Sequence, residues 1–387
     1  MSAHEPLRMK EGDLYSLATA RRIVKNSDPC VSLFIWGPPG VGKSTMVREV
    51  TEELGIGLLD VRAAQLESID LRGFPIIDPE TNLASWKAFM NVLPHPRIHG
   101  DKGILFLDEL NLATLDVQKA CYQLINDRRV GDYILPEGWR IIAAGNELEH
   151  AEGAIIEMPH PLKNRFQHIT VEAPTSPEQR ADMYNWFYRH AIHPSIISFL
   201  KFRPDAIFDM SNVHAENAYP TPRSWHKISI QIRRKEMGLL DEEGRLTDDI
   251  LYLQLIAEQN VGKGRAYEFV EYATTIFARV PDPVAILERG LKRALEESAM
   301  KMPDEGDAGT LFALCTSVVA HLKGLCRDPG VVDNFYDFIF SIGATGEFAM
   351  LTVQEAWAID EVRDAIGRSK SSDNFKRFAK EFVYLVG

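Results

Sequence analysis

The segment Gly37-Pro38-Pro39-Gly40-Val41-Gly42-Lys43-Ser44-Thr45 follows an apolar run, Val31-Ser-Leu-Phe-Ile-Trp36, and leads into a helical pattern. A G-x-x-x-x-G-K-[ST] stretch between a strand and a helix confines the chain to an α/β sheet whose first crossover opens on a phosphate-binding turn. The glycines let backbone N–H groups turn inward, the helix N-terminus adds its dipole, and Lys43 has the length to reach β- and γ-phosphates. Gly37 through Thr45 is therefore the expected phosphate cradle, with Ser44 as a ligand of Mg²⁺. A second VGK triplet, in Asn260-Val-Gly-Lys-Gly-Arg265, lacks the upstream glycine and the following Ser or Thr. It reads as a turn between helices.

Four further short apolar runs bounded by turn residues predict strands at Leu58–Arg62, Gly103–Leu107, Trp139–Ala144 and Phe166–Val171. With the first run they make a five-stranded parallel sheet. Between the third and fourth, Val117, Ala120, Cys121, Leu124 and Ile125 share one helical face that should cover that sheet. Beyond it, Pro174-Thr-Ser176-Pro177-Glu-Gln179 combines a capping Ser, a Pro at the first helical position and a Gln three residues after the cap. From there helical spacing dominates, as in Leu311, Leu314, Val318, Leu322 and Leu325 or Phe375, Phe378, Phe382, Val383 and Val386. Breaks are expected at Pro281-Asp282-Pro283 and Met302–Gly309.

The third strand ends in Asp108-Glu109, at the sheet edge where α/β folds bind ligands. Phosphoryl transfer needs positioning and charge stabilisation, so Asp108 is expected to orient Mg²⁺ and Glu109 to polarise the attacking water. Asn146 closes the next strand and suits an amide that senses the γ-phosphate, although an Asn after Gly also caps turns. The acid pair favours water over an acceptor held under a lid, which separates this chemistry from that of a small-molecule kinase.

A net charge of −12 lacks the broad basic face that sequence-independent nucleic-acid binding needs. The start, Met1-Ser2-Ala3-His4-Glu5, shows no basic region followed by an apolar stretch, and no unbroken apolar run of about 18 residues occurs, so a cytoplasmic location without membrane contact is expected. Cys30, Cys121, Cys315 and Cys326 stand in apolar segments without C-x-x-C spacing and are expected as reduced core thiols.

With the phosphate loop, the acidic strand end and the run from Leu124 through Asp127-Arg-Arg-Val-Gly-Asp-Tyr-Ile-Leu-Pro-Glu-Gly-Trp-Arg-Ile-Ile-Ala-Ala-Gly to Asn146, the chain resembles the MoxR-like branch of the AAA+ ATPases over roughly residues 25–285. The resemblance implies an α/β AAA+ core (1–175), an all-α lid (176–280) and, outside it, a helical C-terminal extension (281–387). It implies ATP with Mg²⁺, a homo-oligomeric ring of six, and work on a protein client or complex. Arg165, in Pro159-His-Pro-Leu-Lys-Asn-Arg165-Phe166, matches the segment delivering an arginine finger to a neighbour's nucleotide, though an Arg there can also cap the preceding helix. Arg223, in Tyr219-Pro-Thr221-Pro222-Arg223-Ser-Trp225, matches the second-sensor segment. A cation in a helix's first turn opposes the dipole unless an anion joins it.

Members of this branch carry an insert after the second strand, here Asp70–Phe89, which suggests a partner-facing loop. Phe74 and Trp86 could face a central pore, but an aromatic between Gly and Pro is expected first to pack locally. The hairpin Val130–Leu135 is a second pore candidate. No N-K-x-D sequence occurs, which favours ATP over GTP, and no D-x-S-x-S adhesion signature occurs, so a von Willebrand-type A domain partner would be a separate protein. A nucleic-acid motor, such as a helicase loader or restriction-type translocase, shares every nucleotide residue and is the alternative that the acidic charge disfavours.

Overall fold

A computed structural model of the chain describes residues 16–146, 158–211, 216–241, 246–247, 249–304, 306–343, 346–369 and 373–386. The Met1–Glu5 start lies outside these residues, as do the side chains of Phe382, Val383 and Val386. The chain divides into two compact units, Met1–Gln179 and Arg180–Gly387.

Nine strands fall in the first unit: β1 (Leu33–Trp36), β2 (Gly57–Arg62), β3 (Phe74–Ile77), β4 (Ala84–Lys87), β5 (Lys102–Asp108), β6 (Arg129–Val130), β7 (Tyr133–Ile134), β8 (Gly138–Gly145) and β9 (Gln167–Thr170). Five make one parallel sheet in the order β2-β5-β8-β1-β9, as the apolar runs predict. Val31 and Ser32 stop short of β1, because the turn at Asp28–Val31 delays pairing. Cys30 belongs to that turn, its N–H donating to Asp28 Oδ1 at 2.8 Å, and is exposed, which corrects the expectation of four core thiols; Cys121, Cys315 and Cys326 are buried.

The helices of this unit are α1 (Leu17–Asn26), α2 (Lys43–Leu54), α3 (Ser68–Arg72), α4 (Pro96–His99), α5 (Leu115–Asp127) and α6 (His160–Lys163). Helix α5 buries the five apolar residues that its spacing marks, against Phe34, Leu105, Leu107, Ile141 and Ala143 of the sheet. Trp139 is fully buried where side chains are absent: a Cβ at Gly103 would lie 2.6 Å from its ring and the same distance from Gly57 O. The insert forms α3 and the antiparallel hairpin β3–β4, whose strands pair only with each other. All four β3 residues are consequently exposed, Phe74 at 57%, and Trp86 is 42% exposed, so neither aromatic packs away locally as expected. The Trp86 N–H donates to Asp132 Oδ2 (2.9 Å), tying this hairpin to the β6–β7 turn.

Helix α7 (Pro177–Arg189) carries the chain past residue 179, and its capping box forms as its sequence dictates: Gln179 N–H donates to Ser176 Oγ, and Gln179 Oε1 accepts from Ser176 N–H. There follow α8 (Pro194–Phe202), α9 (Pro222–Ile232), α10 (Ile250–Val261), α11 (Lys263–Thr275), α12 (Pro283–Arg289), α13 (Leu291–Ser298), α14 (Ala308–Leu325), α15 (Pro329–Ser341), α16 (Glu347–Trp357), α17 (Asp360–Arg368) and α18 (Asp373–Val386). The breaks fall where Pro and the polar stretch place them, with Asp282 capping α12 and Asp307 capping α14. Buried side chains from Met183 to Phe378 make one continuous core, shared by helices on both sides of residue 280. Helix α14 is long and apolar enough to cross a membrane by length and composition. Its buried face, including Leu311, Leu314, Val318 and Leu322, lies in that core.

The Gly262 turn joins α10 to α11, and the Lys263 N–H donates to Glu216 Oε2 at 2.7 Å. A carboxylate occupies the place an anion would take, in keeping with a structural turn.

Candidate functional site

Parallel pairing gathers the chemistry at one edge. Trp36 aligns with Gly145, Leu107 with Ala143, and Arg62 with Asp108, so the loop after β1, the acids ending β5 and the residue after β8 emerge side by side. Because β8 lies between β5 and β1, Asn146 stands between the phosphate loop and Asp108.

The loop needs its glycines. Gly37, Gly40 and Gly42 have φ of +153°, +80° and +109°, and a Cβ at Gly37 would lie 2.4 Å from Val171 O. Lys43, only 8% exposed, donates from Nζ to Gly37 O (2.7 Å), Pro38 O (2.9 Å) and Asn146 Oδ1 (3.0 Å). The cation is thus drawn to the Asn146 amide and curled over the loop, with partners that a phosphate oxygen can replace. At the start of α1, Leu17 reaches to 3.3 Å from where a Cβ on Gly42 would be, so this helix closes one side of the loop.

Ser44 Oγ donates to Asp108 Oδ2 at 2.9 Å, and Asp108 is 6% exposed. A hydroxyl and a carboxylate held together are the hard oxygen ligands that Mg²⁺ takes beside nucleotide phosphates and water. The residues present therefore fit the metal, which would bridge and neutralise phosphate oxygens when bound. Glu109 has a left-handed backbone, φ +58°, a conformation disfavoured for any residue but Gly and Asn. This turn swings its side chain, 38% exposed, out of the strand line.

Two residues that the sequence reading passed over complete the edge. Arg62 Nη1 lies 3.7 Å from both Asp108 Oδ2 and Glu109 Oε1, close enough to steady both carboxylates. Asn111, 2% exposed, donates from Nδ2 to Asn146 O at 2.7 Å and so fixes the sensor's backbone. Arg62 could be found only from the β2–β5 register, and Asn111 only from the turn that Glu109 makes.

Arg165 lies elsewhere. It precedes β9, and the alignment of Leu33 with Gln167 places it at the amino edge, on the order of 15–20 Å along the strands from its own phosphate loop. There it donates from Nη1 to Pro161 O (2.6 Å) and from Nε to Asn126 Oδ1 (2.8 Å), with its guanidinium 3.8 Å from the centre of the Tyr122 ring. The capping role that the sequence allows is real, and it holds the side chain partly exposed. Arg223 belongs to the second unit. Thr221 caps α9 by accepting from Ser224 N–H (3.1 Å), and Arg223 stands exposed in the first turn with no side-chain hydrogen bond or ion pair among the described residues.

Residues 32–166 match the family of AAA domains described as the dynein-related subfamily. Among solved structures, NtrX from Brucella abortus in complex with ADP is similar over 75% of this chain and 68% of its own, at 19% identity and a TM-score of 0.35. RuvB from Thermotoga maritima, as a point mutant, is similar over 76% of this chain and 83% of its own, at 13% identity and a TM-score of 0.33. The family match lies within the first unit, whose parallel sheet and loop after β1 have the arrangement of a P-loop fold.

Proposed function

We propose that this chain is a MoxR-like AAA+ ATPase that assembles into a ring, most simply a hexamer, and uses ATP hydrolysis to remodel or assemble a partner protein or complex. In this reading Gly37–Thr45 cradle the phosphates, Ser44 and Asp108 hold Mg²⁺, Glu109 polarises water, Asn146 reports the γ-phosphate, and Arg223 joins that phosphate from the helical unit. The reading extends to a cytoplasmic location and to a separate von Willebrand-type A domain protein among its partners.

The observation that carries the ring is the edge on which Arg165 stands. A guanidinium at the amino edge cannot reach the phosphates at the carboxyl edge of its own sheet, yet it is held ready on Tyr122 and Asn126. A neighbouring subunit's nucleotide is the target that gives this placement a use, since a charge supplied in trans stabilises the phosphoryl-transfer transition state. Phe74, Ile76, Ile77, Trp86 and Ile134 stand exposed on two hairpins tied together by Asp132, which suits contact with a protein client. The acidic net charge points the same way, away from a nucleic-acid track.

Mixing subunits tests this. Arg165→Ala and Lys43→Ala chains should each be inactive alone. Combined in equal amounts, they should recover about one quarter of normal turnover, because one interface in four pairs an intact loop with an intact arginine. No recovery from chains that co-assemble would remove Arg165 from the site and, with it, the argument for a shared nucleotide.

A further inference from the structure

The helical unit has a cavity of about 730 Å³ bounded by the end of α7, the end of α14 and helix α17. Its volume is that of a small-molecule pocket. Val284, Ala320 and Leu325 contribute accessible apolar wall, while Arg233, Lys323, Arg327 and Arg368 bring four cations against the carboxylates of Glu361 and Asp364. The cavity lining thus carries a surplus of two positive charges in a chain whose net charge is −12.

Lys323 is engaged, donating to Arg189 O at 2.8 Å and lying 3.7 Å from Glu361. Arg233, Arg327 and Arg368 are exposed to solvent at the mouth of the cavity, and their side chains make no hydrogen bond or ion pair among the described residues, which leaves them open to a ligand. Elsewhere in the same unit Arg265 is joined to Asp205, Asp209 and Glu268, and Arg289 to Glu297. The field of Arg233 is felt nearby: burial first, and then this charge, hold His193 down to about 3. Guanidinium groups present planar forks that match phosphate or carboxylate oxygens, and three of them beside an aliphatic wall describe a ligand with an anionic head and an apolar body.

We propose that this cavity binds a small organic anion, a phosphate or carboxylate head on Arg233, Arg327 and Arg368 with an apolar body against Val284, Ala320 and Leu325. The site is distinct from the phosphate loop and its occupancy requires no ATP, so it stands whether or not the ring reading does.

Pyridoxal 5′-phosphate, an aromatic phosphate monoester, is the probe. Its aldehyde condenses with a lysine amine, releasing water, and borohydride adds hydride to the C=N bond to fix the adduct. Lys323 stands in the cavity wall and would be the amine captured; Lys119, with a side chain 67% exposed in the first unit, is the reference. On the full chain, peptide mapping should show Lys323 modified at a probe concentration about ten-fold or more below that needed for Lys119. Arg233→Ala with Arg368→Ala should reduce Lys323 labelling by about ten-fold or more at unchanged circular dichroism. Arg327→Ala alone is expected to act in the same direction and serves if the double variant does not fold. Lys323 labelling no faster than Lys119, or unaffected by loss of the arginines in folded protein, overturns the proposal.

Discussion

The sheet edge of the first unit and the buried core of the second use charge in opposite ways. In the first, Lys43, Asp108 and Glu109 lie at a sheet edge, where Lys43 and Ser44 donate to loop carbonyls, an amide and a carboxylate that a nucleotide and metal can replace. In the second, Lys201 is sealed in the helical core with a side chain 4% exposed, paired with Glu355 and donating to Tyr188 OH at 2.7 Å, while Tyr188 donates to Glu355 Oε2 at 2.8 Å. Burial lowers the lysine's pKa and the adjacent Glu355 pushes it back up, so the pair is self-satisfied. Charge held by exchangeable partners at an edge is poised for a ligand. Charge closed on itself ties α7, α8 and α16 together and serves architecture.

Single amide substitutions test that contrast, and the larger effect belongs to the edge. Glu109→Gln keeps shape and removes the base, so turnover should fall about a thousand-fold while ATP binding persists. Phosphate release and equilibrium nucleotide binding measure the two parts separately; full turnover would break the assignment. Glu355→Gln in the core leaves the buried Lys201 without its counter-ion, which should cost about 3 kcal/mol of stability whether the amine stays charged or gives up its proton. Denaturant unfolding measures this loss, and ATP binding per folded molecule should not change. If Glu355→Gln instead left stability untouched and altered nucleotide affinity, the division between a chemical edge and an architectural core would fail.

What could be read beforehand follows the same line. The loop, the acids and Asn146 were legible because a phosphate site at a strand end needs particular residue types at fixed spacing, and the five apolar runs pair as parallel strands must. Arg62 and Asn111 were not, since their roles arise from strand register and from one left-handed turn, neither of which has a local signature. The exposure of Phe74 is not legible, because its Gly-Pro context speaks of local packing, whereas a hairpin whose strands, among the described residues, pair with each other alone has no layer to hide it in. Lys201 and Glu355, 154 residues apart, have no sequence trace of their pairing at all. The breaks at Asp282 and Asp307 could be seen, but not that the helices between and beyond them share one core.

Backbone strain gives the finest version of the comparison. Glu109 and Ala191 both hold φ above +50°, at +58° and +51°, where a Cβ is disfavoured by about 1 kcal/mol. The phosphate loop meets the same demand with glycine at Gly37, Gly40 and Gly42. Ala191 ends the turn after α7, and its methyl has no chemical duty that would explain the strain. Ala191→Gly should therefore relieve it and stabilise the protein by roughly 0.5–1 kcal/mol, less the extra freedom that glycine gives the unfolded chain. Thermal unfolding should show a small rise or no change, with ATP turnover the same. Glu109→Gly would relieve an equal strain and abolish turnover, because there the unfavourable turn is what carries the carboxylate to the water. A fall in turnover in Ala191→Gly comparable to that in Glu109→Gly would mean that both strained turns belong to the catalytic cycle, and that the helical unit is less purely architectural than its buried ion pair makes it.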